Sequence, residues 1–167
     1  ELDYDHSRAS LGGEIKSSFL ELNYNQYFSN SDSKTGKNGN AEEALDGYDL
    51  ELGLQVPYIP SATIYTKTFE FDVNGGNDFE GMEYSTKLEI PSSGLTIEAG
   101  HTDYENHNDE WFAKINYSLN KFNKDRSFIS DEVFEKETIT DQKYDKVRRD
   151  NIIVKSGAGF TVKAGGF

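Results

Sequence analysis

Residues 47–71 read GYDLELGLQVPYIPSATIYTKTFEF. In the first half of this stretch every second residue is apolar, with Leu50, Leu52, Leu54 and Val56 alternating with Asp49, Glu51, Gly53 and Gln55. A period of two predicts a β-strand with one apolar and one polar face. Over residues 62–71 each face mixes apolar and polar residues. We place Ile64 on the apolar face because Lys67 then lies on the polar face.

The same alternation recurs along most of the chain. It is visible in five further segments, at residues 9–16, 19–28, 82–90, 95–100 and 111–119. The content of 10 Tyr and 11 Phe, with only 3 Pro, also favours strands over helices. The sequence therefore predicts an all-β fold with seven antiparallel strands.

The connections between these strands alternate strictly in length. Short ones fall at residues 16–18, 57–61 and 91–94, and long polar ones at 29–47, 72–81 and 101–110. In an up-and-down meander, odd and even connections lie at opposite ends. Outer-membrane barrels have short periplasmic turns and longer outside loops, so the pattern favours a transmembrane β-barrel.

Composition excludes several other classes of protein. The 167 residues contain no Cys, which rules out a disulfide scaffold and a thiolate metal site. The 17 Lys and Arg against 30 Asp and Glu give a formal charge of -13, which would repel a phosphate backbone, so we predict no nucleic-acid partner. No apolar run approaches the ~18–20 residues of a membrane-spanning helix, whereas a spanning strand needs only ~9–11.

The period of the strands leaves two interpretations open. A soluble β-sandwich or barrel would bury the apolar face, and a membrane barrel would turn it toward lipid and line a wet lumen with the polar face. Three features favour the membrane: the alternating connections, the aromatic residues near strand ends, and polar faces that mix Glu with Lys and Asn.

The membrane interpretation assigns residues to the two faces. Those predicted to face the lumen are Glu21, Asn23, Glu51, Gln55, Glu83, Lys87, Glu89, Glu98, Lys114 and Asn116. Those predicted to face lipid are Leu20, Leu22, Leu50, Leu52, Leu54, Leu88, Ile90, Ile97, Ile115 and Leu119. Seven strands are an odd number, so we expect the barrel to be completed by strands before residue 1.

The alternation stops after Leu119, and the chain divides there. We predict barrel strands at 1–119, and we expect the charge-rich segment that follows to begin at the periplasmic end. Lumenal carboxylates are expected to pair with Lys87, Lys114 or, from this later segment, Arg148 and Arg149, which would hold the segment in place.

No catalytic or metal-binding constellation stands out, and we predict no enzyme, metal or cofactor. His6, His101 and His107 have no repeated ligand spacing. The loop at 72–78 lacks the glycine and the distal Glu of an EF-hand. Rows of Glu on successive strands supply the residue type that a glycosidase uses, but they follow from polar-face alternation alone.

In order and spacing, six strings resemble the C-terminal portion of the inverse autotransporter β-domain, the intimin and invasin family. They are DYDHSRASLGGEI, FLELNYNQYF, GYDLELGLQVPYIPSATIYTKTFEF, GMEYSTKLEIPSSGLTIEAGHTDYE, EWFAKINYSL and, most specifically, YDKVRRDNIIV at 144–154. The resemblance implies that the chain carries about seven strands of a 12-stranded barrel. It also implies a periplasmic-end segment and lumenal linker at 120–154, with Tyr144, Arg148, Arg149 and Asn151 as linker residues, and a Gly-rich tail at 155–167 that leads toward a passenger.

The function of this family leads to further expectations. The resemblance implies a bacterial outer-membrane location, contact with lipid and with the barrel-assembly machinery, and a C-terminal passenger displayed for cell adhesion. The alternatives are a general outer-membrane pore without a passenger and a soluble β-sandwich that acts as a binding module.

Overall fold

The computed structural model describes residues 7–30, 34–35, 41–74, 76–118, 127–136, 148 and 155–156. The predicted linker residues Tyr144, Arg149 and Asn151 and the predicted lipid-facing Leu119 lie outside the described residues. Among the described residues, none lies in a helix long and apolar enough to cross a membrane.

Seven long strands form one antiparallel sheet in the order β1-β2-β5-β6-β7-β8-β9. They are β1 (Arg8–Lys16), β2 (Leu20–Ser29), β5 (Gly47–Val56), β6 (Ile59–Phe71), β7 (Phe79–Glu89), β8 (Leu95–Tyr104) and β9 (Glu110–Tyr117). Three short strands, β3 (Lys34–Thr35), β4 (Ala41–Ala44) and β10 (Lys155–Ser156), form a second sheet in the order β10-β4-β3. The predicted all-β, up-and-down arrangement is confirmed.

The connections define the two ends of the long sheet. The short-turn end holds the turns at 17–19, 57–58 and 90–94, and the long-loop end holds the connections at 30–46, 72–78 and 105–109. Several predicted boundaries were wrong, and β6 and β7 each begin three residues before their predicted starts at 62 and 82. The segment 29–47 is not a plain loop, because β3 and β4 lie within it, and β8 continues to Tyr104 because Thr102 and Tyr104 are buried and extend its alternation.

Segment 127–136 packs against the short-turn end. The backbone of Tyr58 has φ 64°, a conformation that bulky residues rarely adopt. Its N–H donates to the carbonyl of Val133 at 2.9 Å, and its carbonyl accepts from the N–H of Ser130 at 2.9 Å. The rings of Phe19 and Phe134 stack with centroids 4.8 Å apart. These contacts fix the chain that follows β9 at the end where β9 finishes.

The two faces of the long sheet differ in burial. The outer face carries partly exposed apolar residues, among them Leu50, Leu52, Leu54 and Ile64. The inner face carries buried polar residues, among them Asn23, Asn25, Glu51, Glu83 and Glu98. Lys67 lies on the inner face, where its Nζ is 3.1 Å from Glu83 Oε1. The arrangement reverses that of a soluble sheet, which buries its apolar face.

A cluster of mostly aromatic side chains lies on the inner face at the long-loop end. It consists of Tyr27, Leu45, Phe69, Phe71 and Tyr104, with Val73 and Phe79 packed against it. The apolar core of the described residues therefore lies at one end of the inner face, and the middle of that face is polar.

Candidate functional site

Arg148 lies against the middle of the inner face and binds two buried carboxylates. Its Nε and Nη2 donate to Glu51 at 2.6 and 3.0 Å, and its Nη2 and Nη1 donate to Glu98 at 2.9 and 3.4 Å. Four N–H groups are thus used in two fork-like contacts, the geometry that a planar guanidinium favours. We call Glu51, Glu98 and Tyr65 the arginine site.

Tyr65 forms the floor of the arginine site. The Cζ atom of Arg148 lies 3.9 Å from the centroid of its ring, which is the arrangement of a cation–π contact. The phenol donates a hydrogen bond to Glu21 Oε2 at 3.0 Å. Directly opposite on β5 is Gly53, and a Cβ built there would stand 2.4 Å from Tyr65 Cε1. The ring therefore lies in space that only glycine leaves open.

The two carboxylates come from strands that are not neighbours. Strands in a flat sheet are about 4.8 Å apart, so β5 and β8, three positions apart, would be separated by about 14 Å. Arg148 Nη2 nevertheless contacts both Glu51 and Glu98 within 3.0 Å. Because side chains stand roughly perpendicular to a sheet, the sheet must curl around the inner face for both to reach one nitrogen.

Neighbouring strands also hold the carboxylates in place. Asn23 Nδ2 donates to Glu51 Oε1 at 3.2 Å, and Ser85 Oγ donates to Glu98 Oε1 at 3.1 Å. In the strand register Lys67 stands opposite Glu51, and Lys87 and Lys114 stand opposite Glu98. Opposite charges directly across from each other stabilise a sheet by about 0.2–1 kcal/mol a pair.

The described parts of the C-terminal region cross the inner face from one end to the other. Segment 127–136 binds the short-turn end, where the N–H of Glu135 also donates to Gln55 Oε1 at 3.1 Å. Arg148 lies in the middle, and its carbonyl accepts from Asn25 Nδ2 at 3.2 Å. Strand β10 then pairs antiparallel with β4, in the connection at 30–46 of the long-loop end.

The residues predicted to face a lumen share the inner face by strand register. Asn23, Glu51, Gln55, Glu83 and Glu98 are buried, and Glu21, Lys87 and Glu89 are partly buried. Lys114 and Asn116 are exposed because β9 is an edge strand of the described sheet. At the arginine site, Glu51 and Glu98 from the predicted lumen-facing residues bind Arg148 from the predicted linker residues.

The residues predicted to face lipid share the outer face. Leu20, Leu50, Leu52, Leu54, Ile97 and Ile115 are exposed, and Leu22, Leu88 and Ile90 are partly exposed. That one face meets lipid and the other a wet lumen stays a prediction, since burial alone does not identify the solvent.

Sequence reasoning missed Tyr65, Asn25 and Ser85 as parts of the site. One feature of the sequence could have indicated Tyr65. It is a large aromatic residue flanked across the strands by two small residues, Gly53 and Ser85, which leave room for its ring. This feature can be read only when the register is known, since the two neighbours are 12 and 20 residues away along the chain.

We expect Gly53→Ala to disturb the arginine site. The new methyl group would collide with the ring of Tyr65, which is buried and therefore has little room to move. Overpacking of this kind destabilises by about 1–3 kcal/mol. The measurement is the temperature at which the folded, fast-migrating form of the full-length protein converts on a gel.

Gly13→Ala is the matched control. Gly13 also lies in a strand, but a Cβ there meets no atom within 4 Å among the described residues. If both alanine variants convert at the same temperature, the contact between Gly53 and Tyr65 does not matter for stability.

Two other groups of polar residues contain side chains of the types that bind metals. Glu70, Asp72 and Asp78 place carboxylate oxygens within 4.8 Å of one another at the long-loop end. Exposed acidic groups often lie close together without binding an ion, and nothing else at this position points to one. His101 Nε2 lies 3.7 Å from Asp109 Oδ2, and the imidazole ring lies tilted against the ring of Trp111 with centroids 4.5 Å apart.

Comparison with known proteins agrees with the geometry. Residues 1–151 match the family described as "Inverse autotransporter, beta-domain". No curated protein sequence matches the chain. A solved structure described as "Unveiling the Mechanism Behind the in-meso Crystallization of Membrane Proteins" is similar in fold, with a TM-score of 0.68 and 16% identity, over 90% of this chain and 67% of that one.

The family match extends over most of the chain and includes all seven long strands as well as Arg148. This is a family of outer-membrane secretion domains, not of enzymes. The chain belongs to the inverse autotransporter β-domain family.

Proposed function

We propose that this chain forms the C-terminal part of an outer-membrane barrel that exports and displays a C-terminal passenger, an adhesin of the intimin and invasin type. The observation that carries the proposal is the course of the C-terminal region. It contacts the short-turn end through 127–136, the middle of the inner face through Arg148, and the long-loop end through β10. A linker that leads a passenger outward through a barrel needs such a course.

The proposal assigns the two faces to two solvents. The outer face meets lipid, because its leucines and isoleucines are exposed in mid-strand, where a soluble protein would bury them. The inner face lines the lumen, where buried carboxylates, amides and lysines pair with one another. A soluble β-sandwich is the weaker alternative because its charged face would point to bulk water.

The proposal also gives the chain an orientation and an order. The short-turn end is periplasmic and the long-loop end lies outside the cell. Residues 1–119 are barrel strands, 120–154 run from the periplasmic end through the lumen, and 155–167 lead toward the passenger. Strands β1 and β9 lie at the edges of the described sheet, and further strands close the barrel, which the barrel-assembly machinery inserts.

Thiol labelling on intact cells tests this orientation. The 167 residues contain no cysteine, so Ser92→Cys, Asn108→Cys and Ser156→Cys each add a single thiol to this part of the full-length protein, and the unsubstituted full-length protein is the labelling control. We expect a membrane-impermeant maleimide to label positions 108 and 156, and to label position 92 only after the cells are permeabilised. Position 92 belongs to the short-turn end, and 156 pairs with Glu43 at the long-loop end.

The outcomes separate the candidate functions. Labelling of 108 but not of 156 on intact cells would mean that the chain does not leave through the barrel, as in a general pore. Equal labelling of 92 and 108 on intact cells would contradict a membrane-spanning sheet. Digestion of the passenger by external protease provides an independent measure of export.

A further inference from the structure

The arginine site has the chemical character of a receptor for guanidinium. Each of the two carboxylates presents both of its oxygens to the guanidinium, and the centroid of an aromatic ring lies 3.9 Å from the central carbon of the cation. A planar cation with N–H groups on three sides fills such a site. An ammonium ion cannot donate paired hydrogen bonds to both carboxylates at once. The site is thus matched to one cation class rather than to positive charge in general.

The long sheet builds the site without help from the linker. Glu51, Tyr65 and Glu98 belong to β5, β6 and β8. Their supports are also on the sheet, since Asn23 binds Glu51, Ser85 binds Glu98 and Gly53 makes room for the ring of Tyr65. A site that its scaffold organises in advance keeps its shape when the side chain that fills it is removed.

We propose that Glu51, Glu98 and Tyr65 form a guanidinium-specific receptor site for which Arg148 is the tethered ligand, and that this site binds free guanidinium compounds when the Arg148 side chain is absent. The inference deepens the proposed function and rests on it, because it names what holds the linker. Asn25 Nδ2 additionally binds the Arg148 carbonyl, so both the side chain and the backbone at this position are recognised. The site thereby sets the register at which the linker stops in the barrel.

The test is chemical rescue of R148A in the full-length protein. The probe is guanidinium chloride at roughly 10 mM, which is far below denaturing concentrations. We expect it to raise the conversion temperature of R148A and to lower its pore conductance in a planar bilayer. Ammonium chloride at equal ionic strength is expected to be roughly tenfold less potent, the equivalent of about one lost hydrogen bond to a charged group.

Two controls tie the effect to the site. Guanidinium should not change the conversion temperature or the conductance of the native protein, because Arg148 already fills the site. It should also not change those of R148A combined with E51Q and E98Q, because the carboxylates are gone. If R148A does not fold, guanidinium and not ammonium should restore the fast-migrating form during refolding. Equal effects of the two cations, no effect of guanidinium on R148A, or an equal effect on the native protein would each overturn the inference.

Failure here is distinguishable from failure of the proposed function. Export is measured separately, by maleimide labelling at position 156 and by protease digestion of the passenger. A barrel that exports its passenger but shows no cation selectivity refutes the receptor site alone. A barrel that shows guanidinium rescue but no label at 156 refutes export and leaves the site standing.

Discussion

Replacing Arg148 with alanine is expected to destabilise the folded protein by about 3–5 kcal/mol and to release the linker from the inner face. The cost arises because Glu51 and Glu98, each at 5% exposure, would remain buried without their cation. Asn23 and Ser85 would still bind them, and lysines would still stand opposite them in the strand register, but neither replaces the guanidinium that donates to both carboxylates. We expect a lower conversion temperature and faster cleavage of the linker by added protease.

Two further variants separate charge from geometry. R148K retains the positive charge but not the planar set of N–H donors. Its stability should therefore lie between that of the native protein and that of R148A. The triple variant E51Q, E98Q and R148M removes all three charges together, and it should recover much of the lost stability because no buried charge is left unpaired. If the triple variant is no more stable than R148A, uncompensated charge is not the cause of the loss.

Replacing Leu52 with arginine is expected to have the second large effect. Leu52 lies in the middle of β5 on the outer face and is 42% exposed. In a lipid-facing position near the bilayer midplane, arginine costs about 2–4 kcal/mol. If water covered this face, a surface substitution would change stability by only about 0.5 kcal/mol. The free energy of folding into lipid vesicles, measured by urea titration, distinguishes an outer face that meets lipid from one that meets water.

Asn108→Arg is the control for the added charge. Asn108 lies exposed in the connection at the long-loop end, so arginine there should be nearly neutral whichever solvent covers the outer face. A Leu52→Arg protein as stable as Asn108→Arg, and folded in buffer without detergent, would show that the outer face meets water. The lipid assignment would then be wrong.

Much of the long sheet is encoded locally in the chain. Alternation over residues 49–56 places Leu50 and Glu51 on opposite faces whatever their neighbours are, because successive side chains of a strand point in opposite directions. The lengths of the connections predict which strand ends lie together, since a short connection joins adjacent antiparallel strands. Local signals were weaker where polar residues alternate with other polar residues, as at residues 101–104, and there the end of β8 was placed too early.

The sequence by itself determined the all-β fold, the seven long strands and the face on which each side chain lies, because period and turn chemistry are local properties. Only the tertiary structure decided that Arg148 joins Glu51 and Glu98, which are 97 and 50 residues away. It also decided that β10 pairs with β4 and that Gly53 makes room for Tyr65. The physical reason is that these contacts depend on register and on the curl of the sheet, and both arise only when all the strands have paired.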